Sequence, residues 1–452
     1  MKQAQLRNWL WLSGLLILAP YSFLCWLQDL RQRTVEFEFL FFVAFGIYAL
    51  ATVLALRITT LSRRDLMIGF GLAVVMHGIL WFTPPTLSDD MYRYVWEGRL
   101  QAHGFSPYRY PPNAPEVAHL RDDDIWPHVN RKDAITVYPP AAEMAYALLW
   151  RIWPDSVRWF QIAMSVGALL AGILLVGMLA DIGQPPARLF IYLWSPLLIV
   201  ETAHGAHVDG LVLPLLVAAW WARVRKRDGC VGLWLGLATA MKLFPLLLAP
   251  ILWRPTHPRG RWQFPVVYGL TIAACYLPYI LWTGTEVIGF LPRYFGERFN
   301  MGLARWLLPL FEQVGIDPNL GINGLLLITL AIISLWMVLR SATTGKAAVH
   351  RLIWPIGAFT LLTQNLFSWY MLWSLPLIAL FIEPSRRTAL RLDSWTGWWL
   401  FSGLVMLSYT FFITWRPMPL ALNAQFLPLY LLLLIDLGRV LNRSFSADRS
   451  EV

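Results

Sequence analysis

Two adjacent carboxylates, Asp89 and Asp90, stand in the stretch LSDDMYRY, directly after roughly twenty residues apolar enough to lie in a bilayer. A carboxylate is a side chain that can take a proton from a hydroxyl. Leaving one unpartnered in an apolar setting costs several kcal/mol. Lys242 falls mid-way through CVGLWLGLATAMKLFPLLLAPILW (230–253), where a cation is costly and so a candidate for function. Its bland reading is a side chain that snorkels to the interface. His207 and Asp209 in AHGAHVDG, with His204 close by, add imidazole and carboxylate at a span end. Tyr108, Arg109 and Tyr110 in GFSPYRYPP, and Trp369 and Tyr370 in FSWYMLW, offer stacking faces and hydroxyls; such residues by default anchor a membrane protein at the interface. A proton acceptor, cations and aromatic faces suit transfer chemistry on an anionic donor.

The local pattern around Asp89 and Asp90 has two readings. Ser88 is a good N-cap, and both acids would occupy the first helical turn, where the helix dipole favours anions. Spacing pairs Asp89 with Arg93 and Arg93 with Glu97, and Met91, Tyr92, Val95, Trp96 and Leu100 supply a face for lying along the membrane interface. One reading is therefore a capped interfacial helix with a solvated salt ladder. The other makes one Asp a general base kept ionised by Arg93 and the helix terminus. A metal site from Asp89, Asp90, His204 and His207 matches no metal-ligand spacing; no metal ligand and no cofactor is assigned, and a divalent metal stays open.

The elements that must position these residues are apolar helices. Of 452 residues 57% are hydrophobic and 14% charged, well below the charge of soluble domains. Apolar runs recur along the whole chain, which predicts an all-α polytopic membrane protein. The 25 Trp and 16 Tyr suit many interfacial belts. The net charge of +10 is spread over short loops, a topological signal rather than a nucleic-acid footprint. Cys25, Cys230 and Cys275 lie in apolar stretches and read as structural thiols.

Spans near 9–27, 37–57 and 66–85 open the chain, and Arg57, Arg63 and Arg64 place the second short loop inside. The third span then delivers the 53-residue loop 86–138, with eight acids and six bases, to the outer face. The segment 139–153 is short and carries Glu143, so it reads as re-entrant or interfacial. With that choice the basic loops 222–229, 254–261, 340–351 and 383–391 all become cytoplasmic. The count comes to about 12–14 passes, in one integral membrane domain over 1–440 with a cytoplasmic disordered tail, 441–452. The outer side then collects 86–138, 204–210, the break at 241–245, the loop 285–317 with Arg293, Glu297, Arg298 and Arg305, and 367–373. Lys242 and Pro245 read as a polar break between two half-length helices.

SDDMYRYVWEGRLQAHGFSPYRYPP, VNRKDAITVYPP, AHGAHVDG, ATAMKLFPLLLAPILW and FSWYMLWSLPL occur in that order. Together they resemble the polytopic mannosyltransferase-type enzymes of the GT-C glycosyltransferase superfamily, which take sugar from a polyprenyl-phosphate carrier. The resemblance implies a GT-C-like bundle whose long first outer loop is catalytic and carries amphipathic interfacial helices. It implies an outer-loop acid, Asp89 or Asp90, as the base that activates the acceptor hydroxyl, with Asp89 slightly favoured. It places Lys242 near the carrier phosphate and Trp369 and Tyr370 near the cavity. The set of donor and substrate contacts is completed by Tyr92, Arg93, Tyr108, Arg109, Tyr138, His207, Asp209 and Arg298.

The resulting expectation is an inverting transferase moving mannose or another hexose from a polyprenyl-phosphate carrier to a lipid-linked or glycan acceptor. It would work among membrane lipids, without nucleic acid, at the outer face of a bacterial inner membrane. The runner-up is a lipid-linked sugar translocase or transporter without transferase chemistry. A third reading attaches an aminosugar or a non-sugar group from the same carrier.

Overall fold

The computed structural model describes residues 2–253, 260–289, 296–340, 342 and 344–448. Arg293, most of the loop 254–261 and the last four residues lie outside them. The described residues form helices and no strand, with two isolated backbone bridges, Phe299–Asn365 and Pro384–Leu390. The final helix, Pro419–Asp448, continues through residues expected to be a tail.

Among the described residues seven helices are long and apolar enough to cross a membrane: Gln3–Leu27, Thr34–Ala55, Val157–Asp181, Trp262–Ile288, Pro318–Leu339, Ser394–Thr414 and Pro419–Arg439. The remaining apolar passes are shorter or broken, among them Asp228–Met241 and Ser368–Phe381. Leu281, Leu339 and Leu420 are each more than 70% exposed. In water such a surface would aggregate; against lipid tails it is at no disadvantage.

Around Lys242 the sequence does what its proline and charge require. The helix Asp228–Met241 stops, Lys242 is extended (φ −152°, ψ 134°), and a short tight turn, Phe244–Leu248, carries the chain on. The helix Asp209–Val224 lies against Val157–Asp181 so closely that a Cβ on Gly210 would overlap the Met164 carbonyl, and one on Gly167 the Gly210 carbonyl. Only glycine permits that approach, which sets Asp209 at a fixed depth.

The loop 86–138, expected on the outer side, is itself a packed body. Its helix, Asp90–Ala102, lies on the helix Pro140–Ile152 and is buried at nearly every position from Met91 to Gln101. The expected interfacial face and solvated salt ladder are thus corrected. Arg93 and Glu97 do pair, at 2.6 Å, but inside the protein. Asp89 does not join them. The Arg93 guanidinium also donates to the carbonyls of Asn130, Arg131 and Ala134, strapping the returning half of the loop onto the helix. Arg99 does the same farther along, binding Asp122, Asp155 and the Leu120 carbonyl. Its charge, with amide donors from Ile125 and Trp126, offsets a burial penalty and holds the Asp122 carboxyl below its usual range.

Candidate active site

The two acids part company at the start of the loop helix. Asp89 turns to Arg31, with 2.6 Å between Oδ1 and Nη2. Asp90 turns inward: Oδ1 accepts a hydrogen bond from Asn130 Nδ2 at 2.8 Å, and Oδ2 faces His207 Nδ1 at 3.9 Å. A quarter of the Asp90 side chain remains exposed, so a substrate can reach it. Arg93 matters here through the backbone it holds, because that backbone carries Asn130.

His207 is fully buried and stacked on Trp369, ring centroids 3.7 Å apart. Its Nε2 lies 3.3 Å from Glu201 Oε2. The turn that brings these two together is unusual. Val200–His204 is a wide, π-type turn, a form frequent at functional sites. Ala206 follows with φ +51°, a left-handed conformation costly for a non-glycine residue. A Cβ on Gly205 would come within 2.9 Å of the His207 ring, so glycine is needed for the chain to fold back on itself. Glu201 then accepts hydroxyl hydrogen bonds from Ser368 at 2.6 Å and Tyr409 at 3.1 Å. A buried carboxylate is tolerated when satisfied in this way.

Beside this lies a second charged unit. Lys242 Nζ binds both oxygens of buried Asp209, at 2.9 and 2.7 Å, and sits 4.8 Å above the Tyr370 ring and 5.2 Å from Trp373. Trp373 donates its indole N–H to Asp209 at 2.7 Å. Lys242 therefore points inward to a partner and does not snorkel. Tyr94 links the two units. Burial raises its hydroxyl well above the usual phenol range, and the charges of Tyr146, Asp90 and Asp209 add to that. Tyr138, stacked edge-on against Tyr94 at 5.1 Å, is raised by burial and then by Asp90. Both phenols thus remain proton donors.

The structure brings Asp90, His207, Asp209, Lys242, Trp369 and Tyr370 together in one cluster, with Tyr138 beside it against Tyr94. Other expected contacts are engaged elsewhere. Arg93 is buried in structural bonds. Tyr92 stacks on His128 at 4.7 Å. Tyr108 is buried, donating to the Tyr138 carbonyl at 2.7 Å. Arg109 pairs with Glu286 at 2.9 Å, and Arg298 binds Asn319 at 2.8 Å, both on the exposed rim. His204 is buried, with Nε2 toward the Leu87 amide at 3.4 Å. Among the described residues no group of three or more His, Cys, Asp or Glu is placed to hold a metal ion. Sequence reasoning missed Glu201, Ser368, Tyr409 and Trp373. The criterion that singled out Lys242, a charge inside an apolar run, applies equally to Glu201 in PLLIVETAHGAH.

A family model described as alpha-(1->6)-mannopyranosyltransferase, N-terminal domain, matches residues 18–254, which include both acids, the outer loop, Glu201, His207, Asp209 and Lys242. The chain belongs to this family. It is also similar to alpha-(1->6)-mannopyranosyltransferase A of Corynebacterium glutamicum, 20% identical over 354 residues, 68% of this chain and 69% of the relative. It is accordingly a membrane glycosyltransferase of the mannosyltransferase type. Family membership favours transfer over the sugar translocase considered from sequence, because it assigns group-transfer chemistry to the outer-loop half of the chain.

Proposed function

We propose that this protein transfers mannose from a polyprenyl-phosphate carrier to a hydroxyl of a lipid-linked or glycan acceptor at the outer face of a bacterial inner membrane, with inversion at the anomeric carbon. The α-(1→6) linkage named for the family and for the corynebacterial relative is the linkage proposed here. The observation that carries the reading is Asp90: an accessible carboxylate at the start of a buried, strapped helix, facing Asn130 and His207, the latter stacked on Trp369.

In this mechanism Asp90 removes the proton from the acceptor hydroxyl as the oxygen attacks the anomeric carbon. The bond to the carrier oxygen breaks, and the electron pair leaves on the phosphate. Lys242 contributes a charged hydrogen bond to that phosphate, with Asp209 fixing the direction of its ammonium. The aromatic faces stack on sugar. Asp89, engaged by Arg31, is not the base, and this reverses the sequence preference. The basic loops, read from sequence as cytoplasmic, support an outward-facing site.

The test incubates purified protein with polyprenyl-phosphate mannose, other polyprenyl-phosphate sugars, GDP-mannose and an α-mannoside acceptor. The expected result is release of carrier phosphate and a new α-(1→6) bond with the mannosyl lipid. Transfer from GDP-mannose alone would contradict the carrier assignment.

A further inference from the structure

The reading of Asp90 as base leaves His207 and Glu201 unexplained. Neither has an obvious packing reason to be ionisable, and the chain adopts a wide turn and a left-handed alanine to hold them together. The His207 ring faces a carboxylate on each side, Glu201 Oε2 at 3.3 Å from Nε2 and Asp90 Oδ2 at 3.9 Å from Nδ1. Trp369 covers one face of the ring. The other polar groups around it are His204 on its own segment, and Ser368 and Tyr409, whose hydroxyls are both committed to Glu201.

Each ring nitrogen faces one carboxylate without reaching hydrogen-bond geometry to it. A carboxylate held by Ser368 and Tyr409 on one side and the working group on the other is the placement that orients an imidazole once those contacts close. It differs from a hydrolase triad in that the working group is itself a carboxylate. We propose that His207 is the proton relay of the transfer reaction, oriented by Glu201 and acting through Asp90. This rests on Asp90 being the base. The acceptor O–H bond breaks as an O–H bond forms on Asp90. That proton passes to Nδ1 of His207, whose Nε2–H stays on Glu201, and Asp90 is again a carboxylate. After transfer the imidazolium gives the proton back through Asp90, a quarter of whose side chain is exposed, to the released carrier phosphate or to solvent.

The experiment compares wild type with Asp90→Asn, His207→Phe and Glu201→Gln in the full-length protein, using polyprenyl-phosphate mannose and an α-mannoside. Phenylalanine keeps the stack on Trp369 and removes both ring nitrogens; glutamine keeps an oxygen for Ser368 and Tyr409. For the relay, kcat falls at least tenfold in both variants while both KM values stay within about threefold. The double variant is no slower than the worse single one, because the two act as a unit. A His207→Phe protein with wild-type kcat overturns the relay, since stacking alone would then suffice. If that variant does not fold, Glu201→Gln with wild-type kcat overturns it equally. Full activity in Asp90→Asn would instead overturn the base assignment itself.

Discussion

Arg31 Nη2 lies 2.6 Å from Asp89 Oδ1, while Asp90, the next residue, faces away toward Asn130 and His207. The two chemically identical acids are thus divided between a tether to Arg31 and a contact with Asn130 and His207. The pair with Arg31 joins the outer loop to the connection between the first two spans, and both side chains remain partly exposed. Exposed pairs are worth about 0.2–1 kcal/mol. Asp89→Asn should therefore keep turnover within about fivefold of wild type and lower thermal stability only slightly. Kinetics on the purified variant checks this.

Lys242 and Asp209 form a unit that can be dissected by pairing substitutions. Lys242→Met leaves Asp209 buried without its cation, so both stability and donor affinity should fall. Asp209→Asn added to it removes the unpaired charge and should recover much of the stability but none of the affinity. A charged hydrogen bond to phosphate is worth about 1.5–3 kcal/mol, roughly ten- to over a hundredfold in donor binding. Titrating a polyprenyl-phosphate analogue against both variants, alongside thermal unfolding, separates the effects. Unchanged donor affinity in Lys242→Met would remove Lys242 from the phosphate site.

Glu143 predicts a pH dependence. It lies in the short helix Pro140–Ile152, fully buried, bonded by Thr136 and Gln101, with its carboxyl against that of Glu97. Burial, then the charge of Glu97, raises it well above the ordinary carboxyl value of 4.5. A raised carboxyl favours the folded state while protonated. Its contribution is fully present below the unfolded-state value and is lost as pH rises through the folded one. Thermal stability should decline as pH rises from the ordinary carboxyl range to the raised folded value and level off, as far as this group is concerned, beyond it. Glu143→Gln, which cannot ionise, should flatten the decline, and an unaltered pH profile in that variant would show the account of Glu143 to be wrong.

Orientation can be read chemically. Asn113 lies exposed in the outer loop and Arg227 in a basic turn between helices. With Cys25, Cys230 and Cys275 replaced, a membrane-impermeant thiol reagent applied to intact cells should modify Asn113→Cys and spare Arg227→Cys. The reverse pattern would invert the topology and place the site in the cytoplasm.

Much of this was legible in the chain because membrane placement makes charge conspicuous. Lys242 stands out in an apolar run, and its break with Pro245 occurs where the chain needs it. Asp90, His207, Asp209, Trp369 and Tyr370 meet because each lies at the same end of a span. What helical spacing could not supply is direction. It paired Arg93 with both Asp89 and Glu97; the Glu97 pair forms, but in place of Asp89 Arg93 takes three carbonyls some forty residues on. Those bonds depend on how the outer loop closes, a tertiary event that periodicity does not encode. The same gap hid the Arg31–Asp89 contact, on which the proposal's preference for Asp90 over Asp89 turns.

The most direct measurement is kcat for Asp90→Asn, with donor binding followed in parallel. Asparagine keeps the shape and the contact with Asn130 but cannot take a proton. Loss of a positioned general base costs about 10²–10⁴-fold in rate. The account predicts a loss in that range with donor affinity nearly intact and with Asp89→Asn close to wild type. An Asp90→Asn enzyme that keeps more than about a tenth of wild-type turnover, well short of that loss, would contradict it.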